Sequence, residues 1–591
     1  MYTTVFGAAF LFRLAHLALS AGNPLLRMPT LDESYYIGLA RSIASGYIVG
    51  ENRLFFMDPL YGYFLGALYF LFGDGLMLPR LIQMVMDSAS AAITAHIGLK
   101  TGGRSVGVIS GMLYALYGPA AFFSLLTLKT TLSVFLSLLF ILTLLRAMER
   151  ESASPWAGAG ILGALATLCR ANLILMLPLA WLASLAGVKK RWRANLTHGI
   201  VLTLAFMAGI SPIIIRSLYV SGEIQFLPTQ GGRLLYASQN PDNLTGRHRT
   251  PAFARSGPET AETDFHREAE RRLGKKLSPP EVSKYWRGAT IRFLAENPAM
   301  APGILWRKLN MMVADFEIPD NHSYPQAARF SWALRLPFPT FAALLALGLP
   351  GLAIGAWRDR RFLALTIPVI VAFATMLIFY PSGRFRMEAT PFLAIGSGFL
   401  TVWIWKRYTE RRFIAIVMAA VLSIGLFAWS KSVPPVEPLA DEAYYLAKAY
   451  VHTGDYRKGY KTALAGARAF PDQSRFREIM GLAALTAGDA MEAIRQNTEA
   501  LRMDPNSAEA HHNLGLAFIM KGDAASAVES IKRALLIENR AISHLALARA
   551  YKALGQKASA LVEYKTFLEM AKPGDPLRKS AEQGMVSLER Q

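Results

Sequence analysis

Asp32 and Glu33 are adjacent carboxylates at the head of a short apolar-patterned stretch, and acids placed this way suit two jobs. One is local: Thr30 with Glu33 three residues on has the spacing of a capping box, and acids in a first turn complement the positive end of a helix dipole. The other is chemical, because a carboxylate held at a hydroxyl can take its proton as a general base. The stretch reads as a helix through Ile37, Leu39, Ala40 and Ile43 that stops at Gly46, a residue type suited to a left-handed stop. Asp58 then precedes a Pro-led aromatic run containing Tyr61. Arg80, Lys129 and Arg216 follow, and Gly383-Arg384-Phe385-Arg386 leads into Glu388. Carboxylates in a pocket rimmed by arginines suit transfer of a group from an anionic lipid phosphate. Guanidinium groups grip phosphate oxygens in pairs while a carboxylate takes the acceptor proton. Phosphate leaves readily, so one base suffices and no second acid is required. Taken singly, each arginine is better explained by snorkelling to a membrane interface; taken together on one side with the acidic pair, that explanation weakens. Whether they gather depends on the elements that carry them.

Those elements are predicted to be membrane helices. The chain has 591 residues, 53% hydrophobic, with mean hydropathy +0.27, and its apolar residues fall in long blocks. A formal charge of +21 could suggest nucleic acid, but the basic residues cluster between apolar blocks. Lys189-Lys190-Arg191, Arg358 to Arg361, Lys406-Arg407 and Arg411-Arg412 read as cytoplasmic loops, with no nucleic-acid partner. The lone cysteine, Cys169, excludes an intrachain disulfide. Residues 4–20 form a first span with no cleavable signal pattern; its Arg13 either faces a polar interior or snorkels. Residues 59–72 are too short to cross a core that needs about 20 residues, so they are expected to lie in the interface. The spans 76–98, 106–126, 130–147, a short pair within 156–187 turning near Arg170 and Asn172, 196–219, 336–357, 362–380, 389–405 and 413–430 follow. The count is about eleven, leaving the outer loops 21–75 and 221–330 and the C-terminus on one side. On that side Asp32, Glu33, Asp58, Arg80, Lys129, Arg216, Arg384 and Arg386 converge.

Two further regions are patterned. Within 221–330, Ser278-Pro279-Pro280-Glu281 is a capping box opening a helix that runs to Asn297-Pro298. Residues 304–313, with Trp306, Arg307 and Lys308, suggest an interfacial helix whose basic and aromatic residues anchor it at the surface. After Pro434-Pro435 the chain turns polar, and Gly454, Gly488 and Gly522 recur every 34 residues, the period of tetratricopeptide repeats. One copy carries Leu514, Gly515, Phe518, Ala527, Ile531 and Ala534; another carries Met480, Gly481, Ala484, Ala493, Ala500 and Pro505. The fold expected is all-α: a polytopic helix bundle over 1–435, then an α-solenoid of about four repeats over 436–591. The repeat residues are packing residues, and none is assigned to a site.

Most of residues 1–430 resembles the GT-C integral-membrane glycosyltransferases of the protein mannosyltransferase and aminoarabinose transferase type. The resemblance rests on Asp32-Glu33, on Asp58-Pro59-Leu60-Tyr61 through Phe72-Gly73 to Pro79-Arg80-Leu81, on Leu168-Cys169-Arg170-Ala171-Asn172, and on Gly383-Arg384-Phe385-Arg386. With the repeats, the whole looks like bacterial GT-C proteins that carry C-terminal tetratricopeptide repeats. The resemblance implies a polyprenyl-phosphate sugar donor, inverting transfer to an acceptor hydroxyl, and Asp32 as catalyst with Glu33 beside it. It implies donor-phosphate binding by Arg80 and by Arg384 or Arg386, with Arg216 added to that set from its place at the end of a span. Asp58, Lys129 and Tyr61 fall in the substrate pocket. No cofactor is required; a divalent metal, if used, would sit at Asp32. The expected setting is a bacterial cytoplasmic membrane with site and repeats on its outer face. A protein, lipid or glycan acceptor would be recruited by the repeats. A non-catalytic scaffold for envelope assembly is the competing reading, and a transporter fits less well because no matched broken helices or mid-membrane ionisable chain is evident.

Overall fold

The computed structural model describes residues 1–50, 53–149, 152–185, 192–436, 440–571 and 577–589; the 189–191 basic cluster lies outside them. Among the described residues every regular element is helical, with a single isolated bridge at Asn240 and Asn243. Two compact units form: Met1–Gly22 with Pro29–Glu437, and Asn23–Met28 with Pro438–Gln591.

Among the described residues of the first unit six helices are long and apolar enough to cross a membrane: Tyr2–Gly22, Thr130–Glu149, Leu196–Ser221, Phe341–Arg358, Arg361–Ile378 and Phe413–Ser432. The stretch read as one span at 106–126 is a broken pair, Arg104–Ala115 and Gly118–Leu125, bent by 52°. Pro119 opens the second half at a position where its missing N–H costs nothing. Leu60–Phe72, the segment too short to span, is a 13-residue helix packed on Asp32–Ala44, where Gly62 and Gly66 admit Leu39 and Ile43. Ser154–Cys169 and Met176–Leu185 break apart at Arg170 and Asn172, the turn the sequence marks.

Long helices that are less apolar are the ones with polar inner faces. Met77–Gly102 buries Arg80, Gln83, Asp87, Ser88, Ser90 and Thr94. Arg13 turns inward to this face rather than snorkelling: its Nε meets Asp87 at 2.6 Å, and Tyr114 donates to the same carboxylate at 2.7 Å. Phe341–Arg358 and Thr390–Thr409 approach so closely that a Cβ on Gly351 or Gly396 would strike the facing backbone carbonyl. One end of the bundle gathers Lys100, Glu149, Asp359 and Arg361. The acids and arginines of interest lie at other turns.

The 221–330 region folds around Tyr236, Phe253, Phe265 and Trp286, contributed by Gly231–Ser238, a loop, Pro258–Leu273 and Pro279–Glu296. The capping box at Ser278 and Glu281 forms as its spacing predicts. Lys308, on Ala301–Val313, departs from the surface-anchoring expectation. It is buried, and its ammonium donates to the carbonyls of Leu377, Ile378 and Phe379, the orphan acceptors at the end of Arg361–Ile378. Trp306, two residues earlier, remains exposed.

The described residues of the second unit form an α-solenoid of four helix pairs, beginning with Ala440–His452 and Tyr456–Ala469 and ending with Ala541–Ala553 and Lys557–Met570, followed by Leu577–Glu589. Gly454, Gly488 and Gly522 take left-handed backbone at φ +83° to +89°. Asp455, Asp489 and Asp523, each the next residue, cap the following helix through their side chains.

Candidate active site

The acid pair sits where four chain segments meet: the first loop, the 125–130 turn, the returning chain at 315–322 and the 380–388 turn. Leu31, at φ +52°, tips the chain into the helix Asp32–Ala44. The Thr30 hydroxyl is buried without a hydrogen-bond partner, so the full capping box does not form. Glu33 is instead taken up by tertiary contacts. It accepts from the Thr127 amide at 2.7 Å and pairs with His322 Nε2 at 2.9 Å. Asp32 pairs with Arg384 at 2.6 Å, and Arg384 also reaches Asp320 at 2.7 Å and the Tyr380 hydroxyl at 3.1 Å. Ser382 donates to Asp320 at 2.9 Å. Two carboxylates thus share one guanidinium.

Electrostatics keep both acids ionised. Burial pushes the Asp32 carboxyl up, but the Arg384 guanidinium, helped by the neighbouring Asn321 amide and Lys129, outweighs it and holds the group below the ordinary value. Glu33 is likewise raised by burial and lowered further by His322, Arg80 and the Thr127 amide. Access separates them: the Asp32 side chain is 14% exposed and the Glu33 side chain 2%.

Around this centre lie paired groups. Asp58 binds the Lys129 ammonium and accepts from the Ala171 amide at 2.9 Å. Tyr61 donates to Gln83 at 2.6 Å, and Gln83 in turn ties down the Ser124 and Leu126 carbonyls. Arg80 donates to the Leu125 carbonyl at 2.9 Å and lies within electrostatic reach of Glu33. Arg170 faces Glu388 at 3.6 Å and donates to the Arg384 carbonyl at 3.3 Å, while Ser133 and Ser137 bind the Glu388 carboxylate.

Two of the predicted phosphate arginines are placed elsewhere. Arg216 donates to the carbonyls of Val49 at 2.7 Å and Arg53 at 2.8 Å, and lies 3.6 Å over the Phe55 ring. It braces the first loop. Arg386 is fully buried, bonded to the Phe316 and Met311 carbonyls and stacked 4.4 Å over Phe341. It fastens the 380–388 turn to the 311–316 chain, leaving Arg384 as the member of the pair that faces the acids. Among the described residues no three His, Cys, Asp or Glu side chains come together in a metal-binding group.

Sequence reading missed Asp320, Asn321 and His322, which attend Arg384, Asp32 and Glu33 in turn. The available signal was three chemistry-bearing residues in a row between Pro319 and Pro325, at the end of a long outer loop. The Arg170 and Glu388 pair, 218 positions apart, left no local signal.

Residues 58–215 match the family described as dolichyl-phosphate-mannose-protein mannosyltransferase. No curated protein sequence matches the chain significantly. Solved structures similar to part of it are tetratricopeptide proteins. One is TTC0263, a thermophilic TPR protein of Thermus thermophilus, at 20% identity, covering 31% of this chain and 99% of its own, with TM-score 0.24. Another is MamA AMB-1, at 23% identity, covering 26% and 88%, with TM-score 0.20. The matched stretch holds Asp58, Tyr61, Arg80, Lys129 and Arg170, and this similarity points to membrane glycosyltransferase activity in general.

Proposed function

We propose that the protein transfers a sugar from a polyprenyl-phosphate-sugar donor to an acceptor hydroxyl at the outer face of the cytoplasmic membrane, with Asp32 as general base. The observation that carries the reading is the unequal enclosure of the acid pair: Glu33 is sealed by His322 and Thr127, whereas Asp32 keeps an open edge and a single strong partner. Glu33 then positions the helix start, and Asp32 meets the hydroxyl. Arg384 is the link to the donor. When a phosphate engages that guanidinium, Asp32 loses part of the attraction that lowers its proton affinity and becomes the stronger base. Asp320 keeps Arg384 in place meanwhile. Arg80 serves the departing phosphate from the other side of Glu33, and Asp58, Lys129 and Tyr61 form the pocket wall. A divalent ion at Asp32 is compatible with this scheme and not required by it. The repeats bring the acceptor.

The test is sugar transfer from labelled polyprenyl-phosphate sugars by purified protein in liposomes. Consumption of donor that depends on Asp32 supports the reading. If no donor is consumed under any condition, a membrane-anchored scaffold takes its place.

A further inference from the structure

The cations close to Asp32 and Glu33 are already engaged. Arg384 serves two carboxylates, Lys129 serves Asp58, and Arg170 faces Glu388. Arg80 is bonded to the Leu125 carbonyl, and Arg216 and Arg386 are bonded to backbone. Arg233 differs. Among the described residues its buried Nε has no hydrogen-bond acceptor, and the carboxylates in electrostatic reach, Asp32 and Glu262, make no ion pair with it. It is held by rings, 5.1 Å from Phe56 and 5.8 Å from Phe265.

The backbone that presents it is fixed. Thr229 and Gln230 donate to the Phe55 and Phe56 carbonyls at 3.2 and 3.3 Å, which joins this segment to the first loop. Gly232 lies so close to the Ser283 carbonyl that any Cβ would collide with it, and its amide bonds the Ser283 hydroxyl at 3.0 Å. Arg233 lies within electrostatic reach of Asp32, Tyr380 and Arg384, and burial lowers its proton affinity. A second donor group flanks the same acid: the buried Asn321 amide is turned toward Asp32, and its NH2 carries two N–H donors, one more than that contact uses. A buried donor left unbonded is costly, and such a group is explained when a ligand completes it. Oriented donors that need no rearrangement are also what anionic groups bind best.

We infer that Arg233, aided by the Asn321 amide, is an oxyanion-binding residue of this site, ready to receive a phosphate-type group in bidentate fashion. This rests on the proposed function only for the identity of the phosphate bearer. The oxyanion is carried either on a polyprenyl lipid or by a water-borne molecule, and the planar fork suits both.

The experiment is a binding titration on the full-length protein in neutral-lipid nanodiscs, with inorganic phosphate in one arm and a short-chain polyprenyl monophosphate in the other. Arg233→Met, which keeps the stem and removes the charge, should weaken binding at least about tenfold in one or both arms, with the melting temperature unchanged. Arg233→Lys should recover part of that loss. A loss confined to the lipid arm assigns the group to a lipid phosphate; a loss in both assigns a general oxyanion site. Unaltered affinity in Arg233→Met overturns the inference. So does a loss shared equally by both variants and accompanied by a fall in melting temperature, since that marks a packing role. The two readings fail separately. Phosphate binding through Arg233 without sugar transfer leaves this inference standing and removes the transferase. Sugar transfer with an unchanged donor KM in Arg233→Met does the reverse.

Discussion

Asp32 and Glu33 are neighbours in sequence that the fold treats unequally, and substitution should expose this. Asp32→Asn keeps size and helix position, and turnover should fall on the order of 10² to 10⁴ fold, the usual contribution of a positioned base. Glu33→Gln should act mainly on stability, because His322 and the Thr127 amide would lose an ionised partner. A large turnover loss at Glu33 with little at Asp32 would exchange their roles. Arg80→Ala should raise donor KM more than it lowers kcat. The pH dependence follows from the lowered proton affinities. Both acids titrate, when folded, below their unfolded values of 3.8 and 4.5. Their stabilisation is therefore complete above those values and is lost as pH falls through the lower folded ones. Melting temperature followed downward from neutral pH should drop in that acid window, and less so in the Asp32→Asn, Glu33→Gln double variant. An identical acid profile in the two proteins would count against the pairing.

At the scale of elements, the 380–388 turn decides where Arg384 points, and two side chains from outside and one of its own hold it. Lys308 satisfies the end of Arg361–Ile378, Gln239 adds a bond to the Ile378 carbonyl at 2.9 Å, and Arg386 clamps the turn to 311–316. Lys308→Met keeps the packing stem but leaves three carbonyls unserved. The expected loss is about 1–3 kcal/mol of stability, with reduced activity because Arg384 is no longer fixed. A melting curve and a transfer assay on the same preparation check both. Unchanged activity in a clearly destabilised variant would uncouple the turn from the chemistry.

For the whole molecule, we propose that the end carrying Lys100 and Arg361 is the cytoplasmic one, as the positive-inside rule expects of the basic clusters. Alkaline phosphatase fused after residue 435 should then be active in a bacterial host. An inactive fusion there, with an active cytoplasmic reporter at the same point, would reverse the orientation and place Asp32 on the inner side. Removing residues 441–591 should impair transfer to the natural acceptor while leaving donor binding intact. Full activity of the truncated chain on that acceptor would make the repeats a separate docking module.

Features whose cause is local were legible in the amino-acid order. The 34-residue glycine period, the Ser278 capping box, the break at Arg170 and the apolar blocks each depend on contacts a few residues apart or on burial of one face. Asp32, Glu33, Asp58, Arg80, Lys129 and Arg384 could be named as polar groups out of place in apolar surroundings. Their partners could not. Glu33 spends its charge on His322, 289 positions away, and Asp32 on Arg384, 352 away. The same gap separates Arg384 from Arg386, which are two residues apart and look alike in sequence. Opposite faces of one turn send the first to the acids and the second to backbone carbonyls. A guanidinium's role depends on which acceptors the folded chain brings within about 3 Å of it, and only the tertiary structure decides that.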